Sequence, residues 1–348
     1  MDVKSFRSIA ATAGVAAILS AAPQVASAEN WSMATPWGGG PLLEYNAKGI
    51  AKDIEFLSDN KIKVEVFPGG TLGKALKVTE AVKRGVAQIG HNWAGYDWGI
   101  DRTGVLFGAF AGTMSHEKMV HWLFRGGGAD LLMQWRMEKF NVAAFPCGSQ
   151  PAEVFLHTHK KVASLNDYKG IKVRTSGAWA EIAEKLGAST VILPGSEVYP
   201  ALERKVVDGI EWGTPFMNES AGYEKIAKYI VVPGIHQPSA FHECLVNKKV
   251  WDGLSDRQKQ LLKYAGERMV FNFWMEVGHK DAPAFENFKK AGNEIVDLDS
   301  GFKAKAKDAI AEWAAKQGEN NEWFAKVWEH QQNYAATWED SNRYRNTD

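Results

Sequence analysis

Apolar residues along this 348-residue chain follow two alternating spacings. Between Pro41 and Leu57 they fall at Leu42, Leu43, Ala47, Ile50, Ala51, Ile54 and Leu57, which is the spacing of one helix face. Between Lys61 and Phe67, Ile62, Val64 and Val66 alternate with charged residues, which predicts a strand. Trp31 to Thr35 reads as a short strand before this pair; Gly73 to Arg84 as a helix and Ala87 to Gly90 as a buried strand after it. Strands separated by helices imply parallel pairing in a layered α/β lobe.

The alternation continues. Ser115 to Lys139 is helical, with Gly126-Gly127-Gly128 as an interruption. Strands are predicted at Asn141 to Cys147, Glu153 to His157, Thr190 to Leu193, Gly209 to Trp212, Lys228 to Val232 and Phe241 to Asn247, and helices at Ala178 to Leu186 and Ser196 to Arg204. A turn is expected over Ser164 to Lys172, and His157 and His159 are expected on one exposed strand face. Beyond Val250 the pattern is helical: Ser255 to Val277, a second stretch near Ala282 to Ala291, then Phe302 to Lys316 and Asn321 to Arg343. No Pro- or Ser-rich tether divides the chain, so two lobes joined by several crossings are expected.

Composition narrows the setting. Lys4 and Arg7, the apolar run Ile9 to Ala22 and the Ala26-Ser27-Ala28 site read as a signal peptide over residues 1–28, removed after Ala28, which predicts export to a periplasm. Without Lys4, Arg7 and Asp2, the 41 basic and 41 acidic residues become 39 and 40, a balance that argues against nucleic acid as a partner. Cys147 and Cys244 both lie in strand segments; one disulfide or two buried thiols are both compatible with the sequence.

Several chemistries are excluded. Gly69 to Lys74 is not a phosphate loop, because Pro68 and Ala75 break the pattern. His116-Glu117 and His121 miss the zinc-protease spacing by one residue, and Gly148-Ser149-Gln150 is no nucleophile elbow. What stands out is Lys169-Gly-Ile-Lys-Val-Arg174 followed by Asp208-Gly-Ile-Glu-Trp212. A guanidinium closes one strand segment; a carboxylate and an indole close another. Open α/β sheets place ligands at such strand ends, and a guanidinium with nothing obvious to neutralise it suits a carboxylate held by its fork. Fourteen tryptophans, among them Trp93, Trp98, Trp212 and Trp274, suit an aromatic cleft as well as a core.

Three ordered blocks resemble the solute-binding proteins of TRAP transporters. They are Val66 to Gly73 with Thr79 to Gly90, Leu165 to Arg174, and Leu193 to Glu203 with Val206 to Trp212; the likeness runs from about Trp31 to Leu261. Glu211-Trp212 and Pro233 to Pro238 resemble the branch that binds 2-oxo and 2-hydroxy monocarboxylates, such as pyruvate or lactate, together with a metal ion. The resemblance implies a two-lobed periplasmic binding fold, a Venus-flytrap clamp with a long lobe-spanning helix and a helical C-terminal tail. Lobe I would hold 29–148 and 241–278, lobe II 149–240 and 279–348. It implies capture of a small acid for a membrane permease, without catalysis. It assigns the substrate carboxylate to Arg174 and further substrate contacts to Gln150, Tyr96, Trp212 and Gln237. A cation, Na+ or Ca2+, falls to the side chains of Gln150 and Glu211 and the carbonyl of Trp212. Relatives in this branch pair through their terminal helices, so a homodimer is a further implication for the Trp-rich tail.

Three departures from the family pattern affect the pocket. Gln237 stands where glutamate is common, the Pro215 to Asn218 turn is one residue longer, and three extra residues lie in His157 to Asp167. The neutral Gln237 shifts the expectation toward a monovalent ion. Two other classes compete on the same clamp: a lyase with Glu211 as base, and a sensor lobe.

Overall fold

A computed structural model describes residues 28–339, 341 and 344. The leader expected over 1–28 lies, but for Ala28, outside the described residues. The strands in chain order are β1 (Glu29–Ala34), β2 (Ile62–Phe67), β3 (Ile89–Asn92), β4 (Val142–Gln150), β5 (Leu156–Thr158) and β6 (Lys172–Arg174). There follow β7 (Ser189–Val191), β8 (Gly209–Ile210), β9 (Tyr229–Val232), β10 (Ala240–Asn247) and β11 (Glu294–Asp297). They form two mixed sheets, ordered β2-β1-β3-β10-β4 and β11-β9-β5-β8-β6-β7. The expected parallel pairing holds for β1 with β2 and β3 and for β6 with β7 and β8. β10 runs antiparallel to β3 and β4, and β5 antiparallel to β8 and β9.

The first predicted helix forms as a wide π turn over Leu42–Ala47 that continues into an α-helix over Lys48–Leu57. Its apolar stripe is buried except Leu57, which is exposed at the helix end. The helical stretch after Ser115 divides at its glycines into His116–Arg125 and Gly128–Phe140.

Downstream the structure corrects the pattern. The two helical stretches expected after Ser255 are one 35-residue helix, Asp256–Lys290, with Pro283 inside it. Proline removes one backbone donor there, but Ala284 and Phe288 beyond it are buried, Phe288 against Val154 and Ile230, and this packing carries the helix through. The helix packs on β4 and on Lys48–Leu57, and further along on the short helix Pro215–Ser220, so it backs both sheets. Close approach to β4 depends on Gly266, where a Cβ would stand 2.3 Å from the Pro146 carbonyl oxygen. His157 is not on an exposed face: it is fully buried between Tyr223 and Phe288, because β5 is an interior strand. His159 is half-buried, with Nε2 at 2.8 Å from the Leu202 carbonyl. β11 carries only Ile295 and Val296 as apolar residues and was not predicted.

The C-terminal helices, Ser300–Asn320 and Glu322–Ala336, pack on their own chain. Trp313 stacks on Trp98 at 5.7 Å, and Trp323 Nε1 donates to Glu138 at 2.8 Å.

Cys147 and Cys244 form a disulfide. Cys244 lies opposite Phe145, while the register shift between His242 and Glu243 leaves Cys147 without a ladder partner, and the sulfur bridge closes that irregularity. The bond spans 97 residues, so replacing both cysteines with alanine is expected to remove about 4 kcal/mol of stability. Denaturant titration of the variant checks this; an unchanged midpoint would mean that the bond restrains little.

Candidate functional site

A cleft between the two sheets is lined from both sides. Arg174 closes β6 opposite Ile210 of β8, which puts the next residue, Glu211, beside the guanidinium. Gln150 closes β4, the last strand of the first sheet before the chain crosses to the second. Tyr96 enters from the first half on a short 3-10 turn, Ala94–Asp97. The structure brings Arg174, Gln150, Glu211, Tyr96, Trp212 and Gln237 into one cleft.

The electrostatics differ from the expectation in one respect. Arg174 is not unneutralised. Its Nη1 donates to the Glu211 carboxylate at 3.1 Å and to the Glu211 carbonyl at 3.0 Å. Nη2 and Nε donate to the Leu193 carbonyl at 2.9 and 3.2 Å. The guanidinium is 2% exposed and lies 5.3 Å from the Trp212 ring centre. The two carbonyls fix its plane, and Glu211 supplies the charge.

Two further ionisable groups were not singled out from the sequence. His236 Nε2 lies 3.3 Å from Glu153 and 3.7 Å from Glu211, and all three residues are buried. Burial pushes the Glu153 carboxyl up, with Glu211 adding to the rise, to about 7. Glu211 is also buried, yet Arg174 and His236 together hold its carboxyl below the usual range. Burial alone would lower His236, but the two carboxylates outweigh it and raise the imidazole to about 9. The available signals were short: Glu153 follows Gln150 by three residues, and His236 directly precedes Gln237.

Gln150 is 2% exposed; its Nε2 donates to Glu153 at 2.9 Å, which fixes the amide orientation and leaves Oε1 buried without a partner. Gln237 is committed differently. Its amide nitrogen donates to the carbonyls of Gly108 at 3.1 Å and Ser239 at 2.6 Å, and also to Ala109, a residue held at φ +56. Only its oxygen is left for a guest. Tyr96 packs edge-on against Trp93 at 5.2 Å, and burial raises its phenol to about 12, so it stays a neutral donor.

A cation fits the oxygen donors present. The Glu153 and Glu211 carboxylates each offer an oxygen within 4.8 Å of the other, and the orphaned Gln150 Oε1 lines the same cleft. Carboxylate and amide oxygens suit a hard ion.

The two halves enclose an arginine and a carboxylate cluster, an arrangement suited to holding a small solute. The chain belongs to bacterial extracellular solute-binding protein family 7, DctP, whose profile matches residues 33–321. It is accordingly a binding protein of the TRAP-transporter type and not an enzyme. A monocarboxylate 2-oxoacid-binding periplasmic protein of Nostoc sp. is 31% identical over 240 residues, covering 68% of this chain and 64% of its own length. A solute-binding protein of Pseudoalteromonas atlantica, solved with bound sodium and pyruvate, superposes with TM-score 0.85 over 92% of this chain and 100% of its own, at 24% identity. One from Bordetella bronchiseptica, a mixed-occupancy dimer with calcium and picolinate, gives TM-score 0.86 over 91% and 96%, at 22% identity. At these identities the solved structures establish the fold. Among the described residues no helix is long and apolar enough to cross a membrane.

Proposed function

We propose that the chain captures a small 2-oxo or 2-hydroxy monocarboxylate in the periplasm, together with a cation, and delivers it to a TRAP membrane permease. The convergence of the Arg174 fork, the Glu211 carboxylate and the unpartnered Gln150 oxygen in one interlobe cleft carries this reading. The Nostoc relative's 2-oxoacid specificity supports it. The lobes would be 29–148 with 241–278, and 149–240 with 279–348, except that the last helix, Glu322–Ala336, packs back onto the first through Trp323 on Glu138 and Gln331 on the Leu106 carbonyl.

In this reading Gln150, Glu211 and the Trp212 carbonyl would hold a cation, which would supply positive charge to offset Glu211 and the incoming acid. The ligand carboxylate competes with Glu211 for Nη1 of Arg174, and the guanidinium turns toward it. Leu193 keeps its hold on Nε and Nη2 as an anchor or yields part of it to the acid. His236 maintains a positive charge against Glu153 and Glu211, so an anion enters a site that is not net negative. Tyr96 caps the acid when the halves close, and the closed arrangement is favoured because it alone satisfies both sets of contacts.

Cation and acid should therefore bind cooperatively, each raising the other's affinity by the same factor. Calorimetry of chelator-treated protein with pyruvate should give at least about tenfold weaker binding than with calcium or sodium restored. Equal affinities in the two conditions would leave the Gln150 and Glu211 oxygens without this role.

A further inference from the structure

We infer, on the capture reading above, that Glu181 is a positioning residue. It fastens the helix Ala178–Lys185, and with it the Trp179 wall of the cleft, to the opposite half, and so sets how long a bound solute stays.

This helix follows β6 and packs on β7, so it travels with the second sheet. Its start abuts the first half: a Cβ on Gly177 would stand 2.8 Å from the Trp93 ring and 3.4 Å from Val105. One turn on, Glu181 reaches across. Arg102, from the chain between β3 and β4 of the first sheet, donates Nη2 to Glu181 Oε1 at 2.6 Å and Nη1 to Oε2 at 3.1 Å, a two-pronged pair. The guanidinium is steadied on both sides. Gln317 accepts from Nη1 at 3.0 Å, and the Trp98 ring centre lies 4.7 Å from Cζ.

A third bond comes from the tail, where Trp313 Nε1 donates to Glu181 Oε2 at 2.9 Å. Trp313 is itself tied to the first half, stacked on Trp98 and edge-on to Phe110 at 5.2 Å. The helix after it is tied there too: Gln331 donates to the Leu106 carbonyl at 2.8 Å, and Trp122 donates to His330 at 2.9 Å. All three bonds to the Glu181 carboxylate therefore run from groups anchored on one half to a backbone carried by the other. Glu181, Arg102, Trp313 and Gln317 are not among the residues that line the cleft, so the fastening does not depend on a guest. A separation of about 1 Å at this point breaks all three bonds. The fastening thus favours the closed arrangement alone, and its loss shows in release rather than in entry. The Arg102 and Glu181 side chains are 38% and 36% exposed, so solvent screens the pair and its effect is moderate.

Stopped-flow rates with pyruvate and calcium test this on the wild type, Arg102→Ala, Glu181→Ala and the double variant, with thermal melts reporting folding. Each single variant is expected to release pyruvate about fivefold faster, with association within about twofold of wild type. The double variant should release no faster than Glu181→Ala, because the guanidinium has no partner left to lose. Glu181→Gln keeps an acceptor for Trp313 and should fall between alanine and wild type. Unchanged release in the single variants overturns the fastening. So does a double variant whose effect is the product of the two singles, which would place each residue in the stability of its own half. If pyruvate does not bind the wild type, the acid reading falls, and small-angle scattering from the free protein decides the fastening by itself. A larger radius of gyration in Glu181→Ala than in the wild type then upholds it, and equal radii overturn it.

Discussion

Arg174→Ala is expected to lower acid affinity by about a hundredfold or more, because the variant removes the buried guanidinium that faces the cleft. Two losses combine. The ligand carboxylate forfeits a charge-assisted pair, and Glu211 loses the partner that keeps it ionised in a buried place. Arg174→Lys separates these effects. An ammonium preserves the charge opposite Glu211 but cannot reach the Leu193 carbonyl, the Glu211 carbonyl and a guest in one plane. Its affinity should fall between alanine and wild type. Calorimetry with pyruvate and calcium reads both variants. Wild-type affinity in the alanine variant would remove Arg174 from recognition, and lysine as weak as alanine would show that the planar fork, not the charge, is what the acid requires.

Steep acid unfolding is the second large effect. His91, His116, His157 and His242 are all buried. Burial lowers His116 to about 4 and His157 and His242 to about 3, and lowers His91 well below its ordinary value, with His242 beside it adding to the effect. Trp37 Nε1 donates to His91 Nδ1 at 2.8 Å, which requires that nitrogen to be an acceptor and the ring to be neutral. These four groups stay deprotonated when folded and titrate near 6.5 when unfolded. Unfolding between about pH 4.5 and 6 therefore takes up protons, and the stability they contribute, complete above 6.5, is lost as pH falls. Glu153 acts in the opposite sense: raised to about 7, it is protonated in the fold before it is in the unfolded chain, and it offsets about one proton. The net uptake is about three protons, or about 4 kcal/mol of stability per pH unit. Denaturant midpoints collected from pH 6 down to pH 4.5 give the slope, since below pH 6 His236, raised to about 9 in the fold, is protonated in both states. A flat profile would mean that these imidazoles are protonated within the fold.

Much of the architecture is legible in local patterns. The alternation at Ile62, Val64 and Val66 and the stripe from Leu42 to Ile54 each bury one face, so periodicity sufficed. Arg174 and Glu211 are legible as strand-end residues for the same reason. Their mutual pairing is not, since it arises from the register that sets Arg174 opposite Ile210 across two strands distant in sequence. Glu153 and His236 lie in irregular crossover segments with no period to read, and only the tertiary fold brings their charges within 3.3 Å. His157 was misplaced because alternation reports the two faces of a strand but not whether a helix covers both. The gap expected between Val277 and Ala282 was misplaced similarly: no local signal shows that Ala284 and Phe288 enter the core and carry one helix through.

The crossings between the halves bear on how the molecule moves. β4 leaves the first sheet at Gln150, and the returning chain re-enters beside it at Ala240, its ladder partner. The continuous helix Asp256–Lys290 backs both halves. Two adjacent strands and one rod leave the halves little freedom beyond a rotation about the axis those strands define. Gln150, Glu153, His236 and Gln237 all lie at that axis rather than at the jaws. A guest there acts with a short lever: small changes in distance between these groups translate into large travel at the rim, so occupancy of the pivot can be sensed by any partner that grips the outer edges of both halves.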